Sequence, residues 1–133
     1  MDRQPLILIV EQNLQNLELV NSHLKALNLR CICTKQGAKT LLLAQTHHPN
    51  LILLDIMLHD LSSMEIINYL KQNSQTAMIP IIAVLPEKKA QNPNFILRVG
   101  ADDTISKPYN FSDLEIVIRH HLSQQQSSDS PSE

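Results

Sequence analysis

Three runs of the chain, Leu6-Ile7-Leu8-Ile9-Val10, Leu51-Ile52-Leu53-Leu54 and Ile81-Ile82-Ala83-Val84-Leu85, contain no polar position. A strand that is polar on neither side has both faces covered, as in the interior of a parallel sheet. Two further runs, Arg30-Cys31-Ile32-Cys33-Thr34 and Asp102-Asp103-Thr104-Ile105-Ser106, are mixed enough to be edges. The pattern predicts strands at about 5–10, 30–34, 50–55, 80–85 and 102–106.

Segments of helical period fill the intervals. Leu14, Leu17, Val20, Leu24 and Leu27 share one face at a 3.6-residue period. A second helix at about 37–47 carries Ala38, Leu41 and Leu42 inward, and a third at about 62–73 carries Met64, Ile67 and Leu70. Ser62 or Ser63 caps the third, with Glu65 favouring the positive end of its dipole. Pro86 and Pro93 forbid a continuous helix from the end of the fourth strand, so the next helix is short, about 93–99. Asn92 caps it, Pro93 opens it and Gly100 stops it. The last, about 111–123, is capped by Asn110 or Ser112 and turns Leu114, Val117, Ile118, His121 and Leu122 to one side.

Strand and helix alternate five times, which predicts an α/β fold: a parallel sheet sandwiched between two helix layers. Right-handed crossovers with polar edges give the strand order 2-1-3-4-5, the flavodoxin-like arrangement. Residues 1–123 form one domain, and 124–133, without apolar residues, read as a disordered tail or the start of a linker.

Composition narrows the function classes. The net charge of -2 and the absence of any basic run longer than Lys88-Lys89 argue against nucleic-acid binding by this domain. No apolar stretch approaches the ~20 residues of a membrane span, and the expected compartment is the cytoplasm. Cys31 and Cys33, two apart on a strand, read as small buried apolar side chains rather than a disulfide. With only Gly37 and Gly100, the chain lacks the closely spaced glycines of P-loop and dinucleotide enzymes. His47-His48 suits a helix C-terminus, and His120 and His121 diverge too far on a helix to chelate one ion.

The chemistry gathers at strand ends. The first strand runs into Glu11, the third into Asp55, the fifth into Lys107-Pro108. Ligands of open parallel sheets sit at the carboxyl ends of strands, so acid, acid and base share one candidate pocket.

An acid after strand one, Asp after strand three, the segment Gly100-Ala101-Asp102-Asp103 and Lys-Pro after strand five resemble the receiver domain of bacterial two-component response regulators. The resemblance implies that Asp55 accepts a phosphoryl group from a histidine kinase or phosphotransfer protein, that Lys107 contacts it, and that the Lys107-Pro108 bond is often cis. It implies Mg2+ held by Glu11, Asp55 and the Met57 carbonyl. It also points to pairing or output through the fourth helix, fifth strand and fifth helix. Such a domain assists its own phosphorylation and is not otherwise an enzyme.

The chain departs from the family pattern in specific ways. The acid pair after strand one is Glu11-Gln12, and a neutral amide oxygen is a poorer ligand for a hard cation, which predicts weak magnesium binding. The switch hydroxyl after strand four is replaced by Leu85, and the switch aromatic on strand five by Thr104. His59 and Ser63 stand where the loop after Asp55 usually has Pro and Gly. The expected function is phosphoacceptor signalling on Asp55 with an atypical switch. The alternative is a pseudo-receiver that binds a protein partner without phosphorylation. A flavin carrier on the same fold is disfavoured by Glu11 where a phosphate would sit.

Overall fold

The sheet forms as the pattern demands. The computed structural model describes residues 4–129. Strands β1 (Leu6–Val10), β2 (Arg30–Thr34), β3 (Leu51–Asp55), β4 (Ile81–Leu85) and β5 (Asp103–Ser106) alternate with α1 (Leu14–Ala26), α2 (Thr40–His47), α3 (Ser63–Gln72), α4 (Glu87–Ala90), α5 (Pro93–Val99) and α6 (Phe111–Asp129). All neighbouring strands pair parallel in the order β2-β1-β3-β4-β5.

Each inner strand deals its side chains alternately to two cores, because successive residues point to opposite faces. Leu8, Val10, Ile52, Leu54, Ala83 and Leu85 pack with Ala44 of α2, Ile66, Ile67 and Leu70 of α3 and Val99 of α5. Ile7, Ile9, Leu51, Leu53, Ile82 and Val84 pack with Leu17, Val20 and Leu24 of α1 and Leu114 and Ile118 of α6. Burial on both faces is why these strands carry no polar alternation.

The caps follow local chemistry. The Ser62 hydroxyl accepts from the Glu65 amide, the Asn92 carbonyl from Phe95 N–H, and the Asn110 carbonyl from Asp113 N–H. Gly100 closes α5 at φ 78°, a left-handed conformation that a Cβ disfavours. At the opposite end of the sheet from the strand-end acids, Asp102 accepts from Ile81 N–H at 2.7 Å and from Lys71 Nζ at 2.6 Å, which ties α3 to the entry of β4.

Several expectations are corrected. Leu14, the first residue of α1, is 50% exposed rather than part of the inner stripe. Gly37–Lys39 form a 3-10 turn ahead of α2, and its tighter winding rotates the register. Thr40 and Ala44 are therefore buried, whereas Ala38 and Leu42 face out. The helix is broken as expected, with α5 at Pro93–Val99, but a separate one-turn helix α4 precedes it: Pro86 stands outside α4 as the N-cap, where a missing amide hydrogen costs no helical bond. Cys31 is only half-buried and Cys33 exposed, since β2 is an edge; both thiols are free.

The last helix runs past 123 to Asp129, because Gln and Ser are tolerated in a helix and the first breaker is Pro131. The rest of the proposed tail, 130–133, lies outside the described residues. Among the described residues, no helix is long and apolar enough to cross a membrane.

Gly100→Ala is expected to destabilise the domain by about 1 kcal/mol through left-handed backbone strain, read as a lower urea midpoint with unchanged slope. The added methyl itself meets nothing closer than 3.9 Å.

Candidate functional site

The alternation of side chains decides what the strand ends present. Beyond Ile7 and Ile9, the next residue of the same parity is Glu11; beyond Leu51 and Leu53 it is Asp55; beyond Ile105 it is Lys107. All three emerge on the side of the sheet that carries α1 and α6. Ladder hydrogen bonds extend past the strands and fix these backbones: Glu11 N–H to Thr34 O at 3.1 Å, Ile56 N–H to Val84 O at 3.0 Å and Lys107 N–H to Leu85 O at 2.8 Å.

Glu11 and Asp55 are both fully buried, at 0% exposure. Lys107 Nζ lies 3.2 Å from the Glu11 carboxylate and 3.2 Å from Asp55 Oδ2. The Lys107-Pro108 peptide bond is cis. Asp55 Oδ1 accepts from Met57 N–H at 3.0 Å, and the Ser63 hydroxyl donates to the Asp55 carbonyl at 2.7 Å, which ties the start of α3 to the end of β3.

Glu11 has two further donors. The Tyr109 hydroxyl reaches Oε1 at 2.7 Å and the Asn13 amide reaches Oε2 at 3.0 Å. Burial pushes the Glu11 carboxyl above its ordinary range; the Tyr109 and Asn13 hydrogen bonds pull the other way, and neighbouring Asp55 adds to the rise. Burial and the Glu11 charge push the Tyr109 phenol far upward, so it stays a donor.

Sequence reasoning missed Tyr109, which lies past the cis Lys107-Pro108 bond, where strand alternation no longer sets a side chain's direction. It also missed what the altered loop does. Gln12 Nε2 lies 3.0 Å from His59 Nε2, so two departures from the family pattern touch each other. The Gln12 amide oxygen is buried with no hydrogen-bond partner. Next to His59, Asp60 accepts from Gly37 N–H and Ala38 N–H at 3.0 Å each; chiefly the Ala38 amide holds its carboxyl below the usual range.

The substituted switch positions lie elsewhere. Leu85 is fully buried in the core facing α3 and α5. Thr104, opposite Ala83, lines a cavity of about 420 Å³ with Ala90, Ser106, Pro108 and Val117. Neither contacts the acid pocket through a side-chain hydrogen bond among the described residues.

Residues 7–119 match the model of the response regulator receiver domain. The chain is a receiver domain. It is 34% identical over 116 residues to the polar-differentiation response regulator DivK of Brucella abortus (strain 2308), covering 87% of this chain and 94% of that protein. A response regulator from Desulfuromonas acetoxidans superposes with TM-score 0.79 at 30% identity, over 90% of this chain and 97% of that one. The receiver domain of a sensor histidine kinase from Pseudomonas aeruginosa PAO1, crystallised with magnesium in its active-site cleft, shares the fold at TM-score 0.82 and 21% identity, over 91% and 99% of the two chains.

The receiver's own residues fit a hard divalent cation. Two buried carboxylates converge on one ammonium at the strand ends, and carboxylate oxygens are hard donors. Among the described residues no group of three or more His, Cys, Asp or Glu side chains could hold a metal, so any cation relies on two carboxylates plus neutral oxygens.

The raised Glu11 carboxyl makes the stability of the fold depend on pH. The folded state holds this proton to higher pH than the unfolded chain, so the unfolded chain binds fewer protons in that window and stability falls as pH rises through it. Above the folded pKa the full cost remains. Without added divalent cations, Glu11→Gln should raise the urea midpoint at pH 7.5, and the gain should shrink as pH is lowered toward 4.5. An unchanged midpoint at pH 7.5 would contradict the burial-dominated shift.

Proposed function

We propose that this receiver accepts a phosphoryl group on Asp55 from a histidine kinase or phosphotransfer protein, in the cytoplasm. The observation that carries the reading is the Lys107 ammonium seated 3.2 Å from both Glu11 and Asp55 at a strand-end pocket.

Asp55 is the acceptor because its carboxylate is the one at the centre of the sheet, flanked by Glu11 and Lys107. Its Oδ2 attacks phosphorus, the new O–P bond replaces the donor's N–P bond, and the donor imidazole leaves with the electron pair. Lys107 already touches Oδ2 and is the group that neutralises charge on the arriving phosphoryl oxygens. Its side chain is 26% exposed, so it can follow the phosphoryl group outward, whereas the carboxylate it now covers is closed to water. Met57 N–H holds the other Asp55 oxygen and fixes the direction of attack. A magnesium ion, when bound, relieves the repulsion between the transferred dianion and the two acids. Glu11, Asp55 and the Met57 carbonyl would hold it, with Gln12 contributing weakly.

Output takes an atypical path, since Leu85 offers no hydroxyl and Thr104 no aromatic ring. The surface of α4, α5, β5 and α6, with its cavity beside Thr104, is the proposed docking or pairing face for a partner or a second copy.

A second reading, the phosphorylation-independent pseudo-receiver, draws on two observations: Asp55 is fully buried beneath Lys107, and the Gln12 side chain is engaged by His59. Intact mass after incubation with magnesium and acetyl phosphate separates the two. The expected result is a single phosphoryl adduct on the wild type that is absent from Asp55→Asn. No adduct with acetyl phosphate or with a phosphorylated kinase domain selects the pseudo-receiver. In parallel, Gln12→Asp should tighten magnesium binding by roughly tenfold, since ligand charge sets the affinity of such sites.

A further inference from the structure

Tyr109 stands out among the groups that the phosphoacceptor reading leaves unused. Its hydroxyl makes a 2.7 Å hydrogen bond to a fully buried carboxylate, and burial keeps that hydroxyl protonated. Its ring is held from behind: Tyr109 and Phe111 lie almost parallel, with centroids 6.1 Å apart and 5° between planes. Phe111 in turn stacks on His23 of α1 at 4.6 Å. The hydroxyl is therefore placed by two helices rather than by a flexible loop.

Glu11 has three donors of unequal permanence. The Asn13 amide is backbone, fixed at the start of α1. Lys107 is the mobile one, since it must turn toward a phosphoryl group and a divalent cation repels it. Once Lys107 turns away, only Asn13 on Oε2 and Tyr109 on Oε1 remain to hold the carboxylate.

We infer that Tyr109 is a positioning residue of the cation site: its hydroxyl, braced by the Phe111–His23 stack, orients the Glu11 carboxylate for a divalent cation whether or not Lys107 is engaged. This rests on the reading of Glu11 as a cation ligand. Groups that orient a metal-binding carboxylate through its second oxygen commonly govern affinity by 10–100-fold.

The test is calorimetric titration of magnesium into the unphosphorylated protein, so no phosphotransfer enters the readout. Tyr109→Phe should weaken magnesium binding by about tenfold or more. In a Glu11→Asp background the carboxylate survives but falls one methylene short of the hydroxyl. There Tyr109→Phe should change affinity by less than about twofold, the non-additivity expected of a directly coupled pair. Phe111→Leu, which keeps the hydroxyl but removes its brace, should give an intermediate loss and covers the case in which Tyr109→Phe fails to fold by circular dichroism.

Unchanged affinity in Tyr109→Phe overturns the inference while leaving the cation site standing. Equal weakening in both backgrounds also overturns it, by assigning Tyr109 a general structural role. A wild type that binds no magnesium overturns the assignment of Glu11 itself, and this inference with it.

Discussion

One ammonium over two carboxylates that are closed to water is the constraint around which this receiver is organised. Neither Glu11 nor Asp55 has any exposed surface, and like charges so placed destabilise one another unless a cation intervenes. Lys107 is that cation, at 3.2 Å from both. It comes from a point 96 residues beyond Glu11 and 52 beyond Asp55, so the pairing exists only when β1, β3 and β5 have all reached their places in the sheet. The site therefore tests the completeness of the fold. The sheet alone does not need these residues, because β1, β3 and β4 are already buried on both faces by aliphatic side chains.

The same constraint explains why the pocket is both costly and usable. Burial raises the Glu11 carboxyl although Tyr109 and Asn13 donate to it, so local hydrogen bonding only partly offsets desolvation. Active sites commonly retain such unfavourable charge because the incoming ligand relieves it. A pocket with two buried carboxylates favours a positive, oxygen-seeking guest, because the neutral donors Tyr109 and Asn13 only partly offset the burial of Glu11.

How much of this could be read from the chain follows from what each signal measures. Strand identity, order and the positions of Glu11, Asp55 and Lys107 were legible because apolar runs and alternation report burial directly, and parity carries a side chain's direction past the end of its strand. The cap at Asn92 was legible because it acts within three residues, whereas the choices of Ser62 over Ser63 and Asn110 over Ser112 were left to the structure. The inward face of α2 was not, since a 3-10 turn at Gly37–Lys39 changes the winding without changing the residue pattern. Tyr109 was obscured differently. As an aromatic beside Phe111 it looks like core, and only the tertiary placement of Glu11 turns its hydroxyl into a site group. The Gln12–His59 contact is a pairing across two loops that no local rule anticipates.

The acid pocket and the buried Leu85 also lie on opposite sides of the sheet. The acid pocket opens on the α1 and α6 side of the sheet, whereas Leu85 packs into the opposite core with residues of α3 and α5. In place of a hydroxyl, Leu85 contributes full burial, and Thr104 leaves open the volume beside Ala90 that a larger residue would occupy. Among the described residues no side chain of the core that holds Leu85 donates to the Asp55 carboxylate, and from α3 the Ser63 hydroxyl reaches Asp55 at its backbone carbonyl. The groups that touch the acid side chains are Met57 N–H on Asp55, Lys107 on both, and Tyr109 and the Asn13 amide on Glu11; Lys107 and Tyr109 lead into α6, and the Asn13 side chain caps α1 through Asn16 N–H. The segments that open α1, α3 and α6 are thus each hydrogen-bonded to one of the two acidic residues.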